Sequence, residues 1–432
     1  MALVFLAYFA GDFFAAFYIY DNTLFPTHIL LFPILLESFF FTGILWIVVL
    51  AIQRFRSWLA VFVFPVLWVS YLYLFTKLIN HDSITNLPIF SQVQFLPLIQ
   101  IVSLTGIYGL SFLLILFPSG LGVAWYYRKK HPKQALLSLI SIFLILIANL
   151  TFGAIRLSDA NSSQTVKVGL AAKNFPSFRD YIDFKNRNPI QEAEEFAKVV
   201  DQLAKQGADL ILQPEISIWV SLTNQDEIFA ILSRSASENK VYVLVPMGLG
   251  DRPVESNSLY VFSPDGTIST HYNKMHLVSA FESHTTPGNQ LATIALSQGL
   301  IGLAICHDMD HFQPTRAYSE LGVGLLFVPA GDYGIHSDGT WHAQLAIMQS
   351  VSGGFSLARA AYFGFLSASD AYGRVLAWKP TEIGKEVSVV AEVPLGHGRT
   401  FYAMNGDWFP WMCCIGALTI LGFLGFRSRK HS

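Results

Sequence analysis

Charge is what this sequence has least of. Asp, Glu, Lys and Arg make up only 13% of its 432 residues, about half the share of an ordinary soluble domain. Hydrophobic residues supply 53%, so much of the chain belongs in lipid. The few charges nearly cancel, leaving a formal net charge of -2, and that balance excludes a protein built to bind nucleic acid. Cysteine is scarce as well. Cys306, Cys413 and Cys414 are the only three. The last two are neighbours in an apolar run, so no disulfide framework is expected, and Cys306 stands alone in the polar part of the chain.

The apolar mass is unevenly placed. Residues 1–157 are almost wholly hydrophobic, 158–405 read like a soluble domain, and 406–432 open on another apolar run. A helical crossing takes roughly 20 apolar residues. This predicts five crossings before the polar domain, near 2–20, 29–52, 58–78, 96–117 and 134–155, and a sixth near 408–426. Basic residues orient them. Arg54 and Arg56, then Arg128, Lys129, Lys130 and Lys133, then Arg427, Arg429 and Lys430 form three clusters that alternate with loops 21–28 and 80–94, which hold no Lys or Arg. With the clusters in the cytoplasm, both termini lie inside and the polar domain outside. Residues 1–6 carry no charged n-region of a signal peptide. Asp12 and Glu37 fall within apolar runs, which marks them as functional candidates, unless they face water at helix ends.

Within 158–405, short apolar strands alternate with amphipathic helices, the pattern of a layered α/β domain. Strands are predicted at 165–171, 208–215, 241–246, 325–328 and 387–393, with hairpins at 259–272 and around Gln298 and Gly299. Helices are predicted at 189–206 and 341–357. Glu215, Lys274 and Cys306 each sit just past the polar end of a predicted strand, where α/β domains gather their sites. A carboxylate, an ammonium and a thiol suffice for acyl transfer: general base, oxyanion stabiliser and nucleophile in turn. Cys306 is expected to offer a thiolate of lowered pKa. The backbone N–H of His307 becomes a second oxyanion donor if a helix begins there. Singly, Glu215 reads as a loop carboxylate and Cys306 as a small buried filler. His307, Asp308, Asp310 and His311 lack a metal-binding motif and read as supporting or solvated groups, as does His276. No metal or cofactor is implied.

At these residues the chain resembles a known family. Q-P-E-I-S-I at 213–218, Y-N-K-M-H-L-V at 272–278 and A-I-C-H-D at 304–308 are similar to the three motifs of the nitrilase, or carbon–nitrogen hydrolase, superfamily. Apolar flanks on both sides narrow the resemblance to its membrane branch, the bacterial apolipoprotein N-acyltransferases. P-L-I-Q-I-V-S-L-T-G-I-Y-G-L-S-F at 97–112, W-H-A-Q-L-A at 341–346 and G-D-W-F-P-W at 406–411 resemble stretches of the same branch. The likeness spans nearly the whole chain. It departs where the family has Tyr-Glu after the cysteine and this chain has His307 and Asp308. Ser279 and Ala280 replace part of the lysine motif's ending, and Tyr333 and Gly334 only faintly echo another. The stretch from Lys274 to Cys306 is short, and about two crossings are missing.

The resemblance implies a four-layer αββα sandwich inserted between N-terminal membrane helices and one C-terminal helix. It implies Glu215 as base, Lys274 as oxyanion holder and Cys306 as nucleophile, with Glu282 an additional site residue. A membrane phospholipid would load Cys306 as a thioester. The N-terminal amine of a diacylglyceryl-cysteine lipoprotein would then take the acyl chain. The protein would be a multi-pass, monomeric enzyme of the bacterial inner membrane with its catalytic domain on the periplasmic face. Trp408, Phe409 and Trp411 fit an aromatic belt at the interface. The rival readings are a membrane-anchored amidase, a paralogue with a different amine acceptor, and a catalytically idle scaffold.

Overall fold

The computed structural model describes every residue except 20–26, 79–87, 159–163, 174, 178–179, 182, 184–185, 251–255, 279–280, 333–337, 382 and 429–432, and only the backbone at 15–19, 27–30, 88, 338 and 426–428. The expectations for Ser279, Ala280, Tyr333, Gly334, Arg429 and Lys430 fall outside the described residues. Two compact units emerge. One joins 1–82, 97–157 and 405–432; the other joins 83–96 to 158–404.

In the first unit, five helices among the described residues are long and apolar enough to cross a membrane: Leu31–Phe55, Trp58–Leu78, Ile107–Tyr127, Pro132–Ser158 and Trp408–Gly425. The first expected crossing is the helix Ala2–Ile19. One expectation needs correction. The fourth does not run through from residue 96. Leu96–Ile99 and Val102–Thr105 are single helical turns, and the long helix starts only at Ile107. Gly106, at φ 62°, breaks the run, because a left-handed residue cannot continue a right-handed helix. Asp12 and Glu37 lie close together, and Tyr8 donates to Glu37 Oε1 at 3.2 Å. Of the expected belt, Trp411 is exposed, whereas Trp408 Nε1 donates to the Leu104 carbonyl at 2.8 Å.

The second unit is two sheets packed face to face. Its strands are β1 (Thr165–Lys173), β2 (Leu210–Leu212), β3 (Ile218–Val220), β4 (Tyr242–Leu249), β5 (Ser256–Phe262), β6 (Ile268–Asn273), β7 (Ala292–Leu296), β8 (Gly299–Leu303), β9 (Leu325–Gly331), β10 (Ser356–Tyr362), β11 (Phe365–Ser369), β12 (Val375–Pro380) and β13 (Glu386–Pro394). One sheet runs β13-β1-β2-β4-β5-β6, with β3 on β4; the other runs β12-β11-β10-β9-β8-β7. Strands β1, β2 and β4 are parallel, as are β8, β9 and β10. The period of two along a strand builds the layers. Leu210, Leu212 and Leu244 point inward to meet Leu303, Phe327 and Leu366 of the other sheet. Ile211, Val243 and Val245 point outward under the helices Pro189–Lys205 and Gln225–Asn239. Ala193, Phe196, Val200 and Leu203 form the buried stripe of the first of these, spaced as an amphipathic helix requires. Helices Phe312–Leu321 and Asp338–Gly353 accompany the second sheet, completing the αββα order.

Two boundaries moved. The helix expected at 341–357 ends at Gly353, and Leu357 lies in β10. Gly354, at φ 76°, supplies the left-handed turn that stops a helix. The strand expected at 208–215 keeps only Leu210–Leu212, which leaves Gln213, Pro214 and Glu215 in the turn beyond it. Part of the expected outer loop 80–94 also joins this unit. Ile89 and Phe90 are buried, and Phe90 stacks on Trp341.

Candidate active site

Parallel strands put their C-terminal ends on one rim, and the turns leaving those ends carry the expected residues. Glu215 follows β2, Lys274 follows β6 and Cys306 follows β8. Glu215 is 5% exposed and Lys274 2%. Lys274 Nζ donates to Glu215 Oε1 at 2.8 Å and to Glu282 Oε2 at 2.7 Å. The structure thus brings Glu282 into the same cluster. An ammonium between two carboxylates this deep survives because each charge has its partners within hydrogen-bond reach. Burial opposes the Lys274 charge, but Glu215, Cys306 and Glu282 outweigh it and hold the ammonium well above the usual lysine range.

Sequence reasoning missed Asn257 on β5. Its Nδ2 donates to Glu215 Oε1 and to Glu282 Oε1, each at 2.7 Å. The signal was present, since asparagine is disfavoured inside strands and S-N-S-L-Y-V-F is otherwise strand-like. Gly331 N donates to Glu215 Oε2 at 3.1 Å. Three of the roughly four acceptor positions of the carboxylate are therefore filled, and one is left for a thiol proton.

Cys306 begins a single 3-10 turn, Cys306–Asp310. Its φ is 45°, and Ile216, directly after Glu215, has φ 47°. Non-glycine residues in the left-handed region cost about 1–3 kcal/mol each, a cost that marks both turns as over-determined by their surroundings. Burial pushes the Cys306 thiol well above its usual range, the Glu215 charge adds to this, and Lys274 opposes it. The expectation of a lowered-pKa thiolate is corrected. At rest the group is a thiol, and its reactivity depends on a base. The His307 backbone N–H meets no acceptor among the described residues, as an oxyanion donor requires.

Asp308 is neither solvated nor metal-directed. It is fully buried and accepts from Tyr272 Oη at 2.8 Å, Ile305 N at 3.0 Å, Met275 N at 3.2 Å and His276 N at 2.8 Å. One carboxylate thereby fastens the lysine turn to the cysteine turn, and His276 Nδ1 lies 3.0 Å from it. A second group stands alongside, joining the expected His307 and Asp310 to residues of other elements. Arg359 makes two hydrogen bonds to Asp332, at 3.0 and 2.6 Å. His342 lies between Asp332 and Asp310, at 3.4 and 3.7 Å, and His307 Nδ1 lies 2.7 Å from Asp310 Oδ2. Arg359 is a lone cation in the apolar run of β10, which is the mark of a buried pair.

A family model described as carbon–nitrogen hydrolase matches residues 185–392, a window holding Glu215, Lys274, Glu282 and Cys306. The chain is 28% identical over 401 residues to the apolipoprotein N-acyltransferase of Geobacter metallireducens, across 85% of this chain and 74% of that one. It is 25% identical over 370 residues to apolipoprotein N-acyltransferase 2 of Treponema denticola, across 73% of this chain and 68% of that one. Among solved structures, an amidase from Nesterenkonia matches with a TM-score of 0.47 at 16% identity, over 57% of this chain and 94% of that one.

Proposed function

This chain belongs to the nitrilase, or carbon–nitrogen hydrolase, superfamily, and from that premise we propose that it is a membrane acyltransferase of lipoprotein maturation. A phospholipid acyl chain passes to Cys306 as a thioester and then to the N-terminal amine of a diacylglyceryl-cysteine protein. The observation that carries this reading is the buried Glu215–Lys274–Glu282 cluster in the turns beside Cys306, in a chain with five apolar helices of membrane-crossing length among its described residues. Lipid-anchored substrates call for such an anchored enzyme.

In the loading step, Glu215 takes the thiol proton and the sulfur attacks the ester carbonyl. Lys274 and the His307 backbone N–H face the developing oxyanion, a contact stronger in the transition state than in the ground state. The proton held by Glu215 then passes to the departing lysophospholipid oxygen. In the second step an amine attacks the thioester and Cys306 leaves as the thiol. Water is in vast excess, so transfer over hydrolysis rests on excluding it and on holding the acceptor beside the thioester. The test is to supply labelled phospholipid alone and then a diacylglyceryl-cysteine peptide. Transfer of label to the peptide amine is the expected result. Steady release of fatty acid, indifferent to the peptide, makes the protein a hydrolase instead.

The reading places the enzyme in the bacterial inner membrane with both termini cytoplasmic and residues 158–405 on the periplasmic face. The three basic clusters support this by the positive-inside rule. A membrane-impermeant amine reagent should label Lys205 and Lys240, both exposed, in intact spheroplasts. Labelling that appears only after lysis reverses the orientation.

A further inference from the structure

We propose that the side chain of His307, oriented by Asp310, is the base for the amine half of the reaction, an inference that rests on the acyltransferase reading above. Three observations carry it. His307 directly follows the nucleophile in the chain and shares its 3-10 turn. Its Nδ1 lies 2.7 Å from Oδ2 of Asp310, a carboxylate only 4% exposed. An ionised carboxylate only accepts, so Nδ1 carries the proton and Nε2 is left with a free lone pair. The His307 ring is itself only partly buried, with 24% of its side chain open.

The third observation is that Glu215 is nearly saturated. Lys274, Asn257 and Gly331 already donate to it, and its remaining acceptor position serves the thiol in the loading step. The acceptor poses a separate problem. An α-amino group, with a pKa of about 7.7–8.0, arrives mostly protonated at neutral pH and must lose that proton to attack. His307 Nε2 takes the ammonium's first proton and releases it to solvent, which frees the amine to attack. As the C–N bond forms the C–S bond breaks, the electron pair goes to the Cys306 sulfur, and the amine's second proton passes to that sulfur, which restores the thiol. The charged and titratable groups around the ring fit the role. Asp310 holds it, His342 shares Asp310 from the opposite side at 3.7 Å, and His311 packs edge-on at 5.0 Å. Burial, with His276 and His307 beside it, pushes His311 down to about 4, so it stays uncharged against His307.

The experiment separates loading from discharge. Enzyme and vesicles of labelled phosphatidylethanolamine are mixed, acyl-Cys306 is followed by intact mass, and a diacylglyceryl-cysteine peptide is then added. His307→Gln is expected to accumulate the acyl-enzyme and to discharge it to the peptide about 100-fold more slowly, the contribution of one general base. Asp310→Asn should slow discharge in the same direction but less. Hydroxylamine, which is unprotonated at neutral pH, should discharge His307→Gln as fast as the unchanged enzyme, a rescue that a merely misshapen site would not show. Normal discharge to the peptide, or equal slowing with peptide and hydroxylamine, overturns the role of His307. Absence of any acyl adduct in the unchanged enzyme removes the acyltransferase reading and this inference together, whereas an adduct with normal discharge in His307→Gln removes only this one.

Discussion

Glu215→Gln should form almost no acyl-Cys306, with a loading rate reduced at least 100-fold, the lower end of what a positioned general base contributes. Glutamine keeps the shape of the side chain, and its carbonyl still accepts from Lys274. What it loses is the ability to take a proton. That loss is severe here because burial, which the variant keeps, pushes the Cys306 thiol above its usual range. A raised pKa means the protonated form dominates at neutral pH, and the nucleophilic thiolate gains only as pH climbs toward that value. The residual loading rate of the variant should therefore rise steadily from neutral to alkaline pH. The unchanged enzyme, whose base is in place, should not show that rise. Loading rates followed by intact mass against pH check both halves. A variant that loads at the parental rate would remove Glu215 from the role of base.

Lys274→Met should be costly twice over. Methionine fills a similar volume but leaves Glu215 and Glu282 buried without the ammonium that donates to both. Removing one partner of a buried ionic cluster costs about 3–5 kcal/mol, readable as a lower midpoint in denaturant. Activity should fall as well, because the developing oxyanion loses its charged donor. The double variant Lys274→Met with Glu282→Gln separates the two effects. Neutralising one carboxylate should return part of the stability and none of the activity. Recovery of both together would make Lys274 a purely structural residue.

The parts of the fold that came through in the sequence are those set by pattern. The stripe Ala193, Phe196, Val200 and Leu203 and the alternation in T-V-K-V-G-L-A each follow from a single period, and the elements appear where that period places them. The places that failed turn on single residues. Gly106 and Gly354 adopt left-handed backbone and stop helices inside runs whose hydrophobicity says nothing of a break. Strands β10 and β11 were invisible because wholly buried residues such as those of S-L-A-R-A-A-Y have no alternation to read. At the site, Glu215, Lys274 and Cys306 were legible because each ends a strand. Asn257, Asp332, His342 and Arg359 were not. They reach the site from other strands and a helix, so no spacing along the chain links them to the motifs. Asp308 was legible only as a supporting or solvated group, since the four hydrogen bonds that decide for support come from groups brought close by folding.

The central claim is that Cys306 carries the acyl group. The most direct measurement is intact and peptide mass spectrometry of the purified protein after incubation with labelled phospholipid and no acceptor. The account predicts one acyl group per chain on the peptide containing Cys306, absent in Cys306→Ala, retained when Cys413 and Cys414 are both replaced by alanine, and lost when a diacylglyceryl-cysteine peptide is added. An unmodified Cys306 in protein that still transfers acyl groups, or a Cys306→Ala variant with full turnover, would contradict it.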